Sequence, residues 1–103
     1  MSRVQSLRAM LAARPADARL RFGLALEYLR EGALEEAVAE LRTYLAAASD
    51  EGNAWGRLGA ALAELGRAAE AREAYEAGIL AAERHGHPTM AEEFRQALEE
   101  LED

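Results

Sequence analysis

Residues 53–78 read NAWGRLGAALAELGRAAEAREAYEAG, and the spacing of large and small residues in this stretch predicts two packed antiparallel helices. Trp55, Leu58 and Leu62 recur three and four residues apart, so they share one helical face. Gly66 follows the last residue of this pattern. A glycine at that position can adopt the left-handed backbone conformation that ends a helix, so we expect the first helix to stop there.

The second helix of this stretch places one aromatic side chain between two small residues. The residues of its predicted inner face are Ala71, Tyr75 and Gly78. Small residues let two helix backbones approach to roughly 8–10 Å, and an aromatic ring fills the space between them. The stretch therefore predicts a closely packed helical hairpin.

The same pattern occurs 34 residues earlier in the chain. Identical residues at this offset are Gly66 and Gly32, Leu58 and Leu24, Ala71 and Ala37, and Glu70 and Glu36. Similar residues at this offset are Gly59 and Ala25, Leu62 and Tyr28, and Tyr75 and Leu41. A further step back pairs Leu41 with Leu7 and leaves Pro15 where a helix should stop. A fixed period of this length indicates a helical repeat protein.

The 34-residue period and the spacing of large and small residues resemble those of the tetratricopeptide repeat (TPR) family. The motif of that family runs W-x2-L-G-x2-Y, then Ala and Phe, then Pro. The matching residues are Trp55, Leu58, Gly59, Ala71 and Tyr75 in one repeat and Leu24, Ala25, Tyr28, Ala37 and Leu41 in the other. The departures are Arg21 for Trp, Tyr44 for a small residue, and Ser49 and Glu83 for Pro. The resemblance implies an all-α fold of antiparallel helical hairpins stacked as a short TPR superhelix, an α-solenoid, with about six helices.

We expect a single TPR-like domain over residues 1–103, because this length suits one domain and its Ala, Leu, Glu and Arg favour helices. Its predicted parts are an N-terminal half-repeat helix at 2–14, repeat 1 at 18–51, repeat 2 at 52–85 and a C-terminal capping helix at 88–102. The predicted helix starts are Ser2 with Gln5 as a capping box, Asp17, Ser49 or Asp50, and Thr89 with Glu92 as a second capping box. Gly32 is predicted to end the helix that Asp17 begins.

Both terminal helices leave an alternative open. Residues 2–14 carry Arg and no acid, which is also typical of an organelle transit peptide, but the 34-residue register continues through them and favours a helix covering the open end of the stack. The apolar face of the last helix consists of Met90, Phe94, Ala97, Leu98 and Leu101. It resembles the helix that seals such stacks, and it could alternatively lie in another molecule's groove to form a swapped dimer.

In the TPR family the first helix of each hairpin lines a concave groove, so the resemblance implies a partner-binding groove here. The candidate groove residues are Arg19, Phe22, Leu26, Leu29, Asn53, Gly56, Arg57, Ala60 and Ala63. Bulky apolar residues beside small ones would suit an amphipathic helix. Alternatively, Phe22 and Leu29 pack as ordinary core. Chaperone-binding members of the family hold a peptide carboxylate with Lys, Asn and Arg, and we expect that activity to be absent from this mostly apolar set.

Several functional classes lack support in the sequence. No catalytic motif converges, there is no Cys, and His85 and His87 have no third ligand nearby, so we expect no enzyme activity, no cofactor and no metal. The net charge of −7 argues against nucleic acid, and no apolar run approaches the roughly 18 residues of a membrane span. The absence of disulfides suits a cytoplasmic protein.

The charge is unevenly distributed along the chain. Residues 1–30 contain six Arg and two acids, whereas residues 31–103 contain six Arg and seventeen acids. Most of this charge is expected on solvated faces, although it also allows a head-to-tail contact. The sequence therefore predicts a non-catalytic scaffold that binds a peptide or amphipathic helix of a partner protein in the groove. The alternative is a self-associating structural module, a homodimer formed through the groove or the terminal helix.

Overall fold

The computed structural model describes residues 1–102, and of Glu102 the backbone only. The described residues form six helices joined by short turns, which confirms the all-α class. The helices are α1 (Arg3–Ala13), α2 (Ala18–Glu31), α3 (Leu34–Ala47), α4 (Asn53–Glu64), α5 (Ala68–Arg84) and α6 (Pro88–Glu102). Two compact units divide the chain, one spanning Met1–Ala48 and the other beginning at Ser49. Each unit contains one hairpin and one flanking helix.

The capping predictions at the start of the first two helices are confirmed. Ser2 Oγ accepts a hydrogen bond from the Gln5 backbone N–H at 3.1 Å, and Gln5 Oε1 accepts one from the Ser2 N–H at 3.0 Å. Asp17 Oδ1 accepts a hydrogen bond from the Leu20 N–H at 3.2 Å. These bonds satisfy donors that have no partner within the first turn of a helix, so α1 and α2 begin where local sequence places them.

The predicted glycine stops are also confirmed. Gly32 has φ of 77° and Gly66 has φ of 79°, both in the left-handed region that glycine adopts without steric cost. After Gly66 the chain turns back, and the Arg67 N–H donates to the carbonyl oxygen of Leu62 at 2.9 Å. This bond satisfies a carbonyl at the end of α4, so the turn ends the helix and starts the hairpin.

The predicted cap of α4 at Ser49 or Asp50 is wrong, because the N-cap residue is Gly52. The carboxylate of Asp50, not the Ser49 hydroxyl, accepts hydrogen bonds from the N–H groups of Gly52 and Ala54, at 2.8 and 2.9 Å. Gly52 itself has φ of 130°, a conformation that disfavours other residues. Asp50 therefore accepts hydrogen bonds from N–H groups at the start of α4, although it lies two residues before the N-cap.

The predicted cap at Thr89 is wrong. The structure begins α6 at Pro88, so Thr89 lies within the first turn and not before it. Proline suits the first helical position for two reasons. An N–H there would have no acceptor within the helix, and the proline ring fixes φ near the helical value. The capping-box spacing of Thr89 and Glu92 is therefore coincidental.

The cores of the two hairpins pair a small residue with a large one, but they use different residues at these positions. In the second hairpin Gly59 lies beneath the Tyr75 ring, whose Cζ is 2.9 Å from the position that a Cβ of Gly59 would occupy. In the first hairpin the corresponding residues are Ala25 and Leu41, both fully buried. A smaller residue on one helix thus accompanies a larger one on the other, and core packing is preserved.

An ion pair replaces the missing tryptophan of the first repeat. Arg21 Nη1 donates to Glu40 Oε1 at 2.6 Å, which joins α2 to α3. The residues 34 positions later are Trp55 and the buried Ala74. Both charged side chains are 22% exposed, so a half-buried ion pair stands at the repeat positions that Trp55 and Ala74 take in the second hairpin.

Helix α1 packs on α2 through one apolar and one polar contact region. Leu11 of α1 is buried, and the carboxylate of Glu27 on α2 is almost fully buried. Glu27 Oε1 accepts a hydrogen bond from Arg3 Nε at 2.8 Å and another from Arg30 Nη1 at 2.7 Å. Two guanidinium groups therefore share one carboxylate, which compensates the cost of burying it.

Candidate partner-binding site

The candidate residues of the first unit lie on α2 and remain partly accessible. Arg19 is exposed, whereas Phe22, Leu26 and Leu29 are half-buried. The Phe22 ring packs against Tyr44 of α3, with ring centroids 5.0 Å apart. This contact favours the alternative in which Phe22 is core. Arg19 and Leu26 are seven residues apart, so they lie on the same side of α2 about two helical turns from each other.

The candidate residues of the second unit lie on α4, and most of them are open. Asn53, Arg57 and Ala60 are exposed and recur at spacings of four and three, so they form one stripe. Arg57 Nε donates to the side-chain oxygen of Asn53 at 3.2 Å. This stripe presents a polar pair beside a small apolar residue. Ala63 lies at its edge and is half-buried.

Gly56 does not belong to an open surface, which corrects the prediction made for this residue. It is buried, and a Cβ built on it would lie 2.4 Å from two atoms of the Phe94 ring, Cε1 and Cζ. The ring also lies against Gly78, whose Cβ would be 2.9 Å from Phe94 Cε2. Phe94 of α6 therefore occupies a seat formed by Gly56 of α4 and Gly78 of α5, which we call the glycine seat.

In the first repeat, two aromatic residues take the positions that correspond to the two glycines of the glycine seat. The residues 34 positions before Gly56 and Gly78 are Phe22 and Tyr44, the two rings that pack on each other. One repeat therefore fills this space with its own aromatic side chains, and the other leaves it to Phe94. The pair of glycines at corresponding positions was a signal in the sequence, because two missing side chains imply that another residue fills the space.

Tyr75 completes the aromatic cluster of the second unit. Its ring centroid lies 5.8 Å from that of Phe94, and only 8% of Tyr75 is exposed. Burial raises the pKa of the Tyr75 phenol above its ordinary value of 10.0, and the negative charge of Glu100 raises it further. Because the folded state favours the neutral phenol, its contribution to stability is complete below pH 10.0 and is lost as pH rises through the folded-state pKa.

We expect an alkaline titration to show this shift. In a variant with Tyr28→Phe and Tyr44→Phe, Tyr75 is the one remaining tyrosine of the three in the chain, so absorbance at about 295 nm reports it alone. The folded protein should ionise with a midpoint above 10.0, and the same variant in denaturant should return to about 10. Equal midpoints in the two conditions would contradict the prediction.

Sequence reasoning missed a contact between the turn before α4 and the turn before α6. His87 Nε2 lies 2.6 Å from Glu51 Oε1 on the surface of the second unit. The hydrogen bond from His87 lowers the pKa of the Glu51 carboxyl, and the nearby His85 and His87 charges lower it further. The two residues are 36 positions apart, so no local pattern indicates their pairing.

Two further observations concern the classes of function that the sequence disfavours. Within residues 1–102, no group of three or more His, Cys, Asp or Glu side chains is arranged to hold a metal ion. None of the helices in the described part of the chain combines the length and the apolar character needed to cross a membrane.

Comparison with known proteins identifies the family. No protein-family model matches the chain. The chain is 33% identical over 99 residues to the TPR repeat-containing protein PA0015 of Pseudomonas aeruginosa, and the match covers 96% of this chain and 94% of that relative. At this identity and coverage, the chain belongs to the TPR repeat family. Repeats of this type generally mediate protein–protein interaction, and TPR homologues are typically non-catalytic scaffolds.

Solved structures show the same fold. The solution structure of protein BPP2914 from Bordetella parapertussis matches with a TM-score of 0.82 and 32% identity, covering 98% of this chain and 88% of that one. A structure of MamA AMB-1 matches with a TM-score of 0.68 and 24% identity, covering 95% of this chain and 66% of that one. The second likeness shows the fold alone. The predicted helical-repeat architecture is therefore confirmed.

Proposed function

We propose that this protein is a non-catalytic, cytoplasmic scaffold that binds a peptide or an amphipathic helix of a partner protein. The first helix of each hairpin, α2 and α4, supplies the contact residues. The observation that carries this proposal is accessibility: of the nine candidate residues, eight are exposed or half-buried and only Gly56 is covered. The TPR fold supports a protein partner. The faces of α2 and α4 differ in the side chains that they offer to such a partner.

The face of α2 suits a partner with an apolar side chain near an acidic one. Leu26 and Leu29 are half-buried, so part of each apolar side chain remains in contact with solvent. Burying that surface on binding is favourable by roughly 25 cal/mol per Å². Arg19 is exposed on the same side of α2, about two helical turns from Leu26, and can donate hydrogen bonds to a carboxylate. Leu26 is therefore the central contact that we assign to this face.

The face of α4 has a different character. Asn53 accepts a hydrogen bond from Arg57 Nε, and the other N–H groups of the guanidinium can donate to a carbonyl or carboxylate of the partner. Ala60 adds a small apolar surface that a bulky partner side chain can approach. We propose this face as a contact surface in its own right.

Leu26→Glu tests the proposal most directly. Peptides selected from a random library on the wild-type chain should bind the variant at least about 30-fold more weakly, because a buried charge would replace an apolar contact. The control is Leu80→Glu on α5, which makes the same change at a leucine that is 61% exposed and outside both faces. It should bind the selected peptides within about threefold of wild type.

Two results would contradict the assignment. If the selected peptides lose affinity for Leu80→Glu and keep it for Leu26→Glu, the contact surface lies elsewhere. If Leu26→Glu loses its helical melting transition, Leu26 is a core residue and not a contact residue. In that case Arg57→Glu tests the α4 face, because a substitution at this exposed position should not unfold the protein.

A further inference from the structure

One surface of α1 combines exposed apolar and basic side chains. Arg3 and Met10 lie seven residues apart on one side of α1, and Arg14, the C-cap residue, follows four residues after Met10 at the end of the helix; we call these three residues the α1 stripe. Met10 is 47% exposed, and the Arg3 side chain is 74% exposed. Leu11, which follows Met10 about a quarter of a turn further round the helix, is buried and belongs to the inner side. The α1 stripe is therefore an apolar centre between two cations.

The basic charge of this region is not balanced locally. Residues 1–16 contain three Arg and no acid. Glu27 is the acid that Arg3 contacts, and Arg30 shares the same carboxylate oxygen. One negative charge thus faces two positive charges, so the Arg3 end of the α1 stripe keeps a net positive charge that an incoming carboxylate can neutralise.

Helix α6 has a stripe of the opposite character. Glu93, Ala97 and Glu100 recur at spacings of four and three, and we call this line the α6 stripe. Both Glu residues are exposed, and Ala97 is half-buried, as is Leu101 beside it. Over its length α6 contains five Glu and one Arg. The side of α6 that carries Phe94 is occupied by the glycine seat, so the α6 stripe lies next to that contact and outside it.

We propose that the α1 stripe of one copy of this chain binds the α6 stripe of a second copy. Both stripes place apolar surface between two like charges, and the charges of the two stripes have opposite sign. The occupant is therefore a second copy of the chain, because the complementary surface is present on every molecule. This contact joins two different surfaces, so it is heterologous, and each molecule keeps one unused stripe after the first contact. It does not depend on the partner-binding faces of α2 and α4.

The chemistry of the stripes makes the contact salt-sensitive. Exposed ion pairs contribute between about 0 and 1 kcal/mol each, so the contact is weak and forms at high protein concentration. Screening shortens the range of these charges to about 10 Å at 0.1 M salt and about 3 Å at 1 M salt. Because each joined pair still has two free stripes, association continues beyond the dimer as concentration rises.

The test is the solution mass of the whole chain by light scattering over a concentration series, at roughly 0.02 M and 0.5 M salt. At low salt the average mass should rise above 11.2 kDa and continue past twice that value as concentration increases. At high salt it should fall back towards 11.2 kDa. A monomer at every concentration and both salts would overturn the proposal, and so would a dimer whose stability is the same at both salts.

Charge reversal locates the contact. Arg14→Glu in the α1 stripe should weaken association at low salt about tenfold. Arg8→Glu is the matched control, because it makes the same change on the same helix two residues before Met10, which is nearly the opposite side. Equal weakening by the two variants would mean that overall charge, and not the α1 stripe, controls association, and the proposal would fail.

Mixing two variants gives the decisive result. Glu93→Arg in the α6 stripe should also weaken self-association. An equimolar mixture of the Arg14→Glu and Glu93→Arg chains should associate more strongly than either chain alone, because the unchanged α6 stripe of the first chain can bind the unchanged α1 stripe of the second, and the two reversed charges also attract each other. Circular dichroism checks that each variant is folded. If Arg14→Glu is not folded, Met10→Ser replaces it in the measurement of single-variant self-association, which should again weaken. Failure of the mixture to recover association would overturn the proposed pairing.

Discussion

Gly56→Ala is expected to destabilise the protein by about 2 kcal/mol, although alanine favours a helix more than glycine does by about 1 kcal/mol. The reason is the glycine seat. A Cβ on Gly56 would lie 2.4 Å from Cε1 and Cζ of Phe94, far inside van der Waals contact, so the ring and α6 must move. Chemical denaturation followed by circular dichroism measures the free energy of unfolding of the variant.

Gly23→Ala is the matched control for this prediction. Gly23 is also a helical glycine, but a Cβ there would meet only Leu7 Cδ2, at the ordinary distance of 3.8 Å. The substitution should therefore stabilise the protein by up to about 1 kcal/mol. Replacement of glycine by alanine is thus expected to lower the stability of the protein at Gly56 and to raise it at Gly23. Destabilisation of similar size at both sites would show that the glycine seat is not the cause.

A double-mutant cycle tests the contact between Gly56 and Phe94. Phe94→Ala should itself cost about 2–4 kcal/mol, because it removes an aromatic side chain that packs against both glycines and Tyr75. In the Phe94→Ala background, Gly56→Ala should no longer be destabilising, since the atoms that it would overlap are gone. If Gly56→Ala costs the same in both backgrounds, the strain arises from another contact.

The elements of the fold were predictable because their signals are local. The periodic spacing of Trp55, Leu58 and Leu62 defines the inner face of a helix, and Gly66 ends that helix through its own backbone conformation. Asp17 caps α2 through a hydrogen bond to a residue three positions away. Each of these effects depends on neighbours within about one helical turn, so a single sequence contains the information.

The contacts between elements were less predictable for a physical reason. The sequence indicates that Gly56 and Gly78 leave room between helices, but which side chain fills that room depends on how α6 approaches. The same holds for Glu51 and His87, which meet because two turns come together. Thr89 shows the opposite error, since a local capping pattern was present but the chain starts the helix at Pro88 instead.

The candidate site depends both on local sequence patterns, which are predictable, and on contacts between helices, which are less so. The repeat register correctly places Leu26 and Ala60 at corresponding positions of the first helix in each hairpin. It does not predict burial, because that depends on which neighbouring helix covers each residue. Gly56 is the clearest case: its register matches the other candidates, yet Phe94 covers it. The assignment of the remaining candidates to partner binding stays a prediction that the Leu26→Glu experiment addresses.

Leu58→Ala is expected to cost about 3–5 kcal/mol of unfolding free energy. Leu58 is 1% exposed in α4 and lies on the face that packs against α5. Removing its buried methyl groups loses their transfer free energy and leaves a cavity that the surrounding helices fill only partly. Because a domain of this kind is stable by about 5–15 kcal/mol, the loss is a large fraction of the total. Urea denaturation and the thermal midpoint measure it.

Two companion variants make this result specific. Leu24 occupies the position 34 residues earlier and is also 1% exposed, so Leu24→Ala should cost a similar amount if the two repeats use equivalent cores. Leu80→Ala removes the same atoms from a leucine that is 61% exposed and should change stability by less than about 0.5 kcal/mol. A small effect of Leu24→Ala beside a large one of Leu58→Ala would contradict the equivalence of the two cores. Similar effects of Leu58→Ala and Leu80→Ala would contradict the packing of α4 on α5, because burial is the property that distinguishes these two leucines.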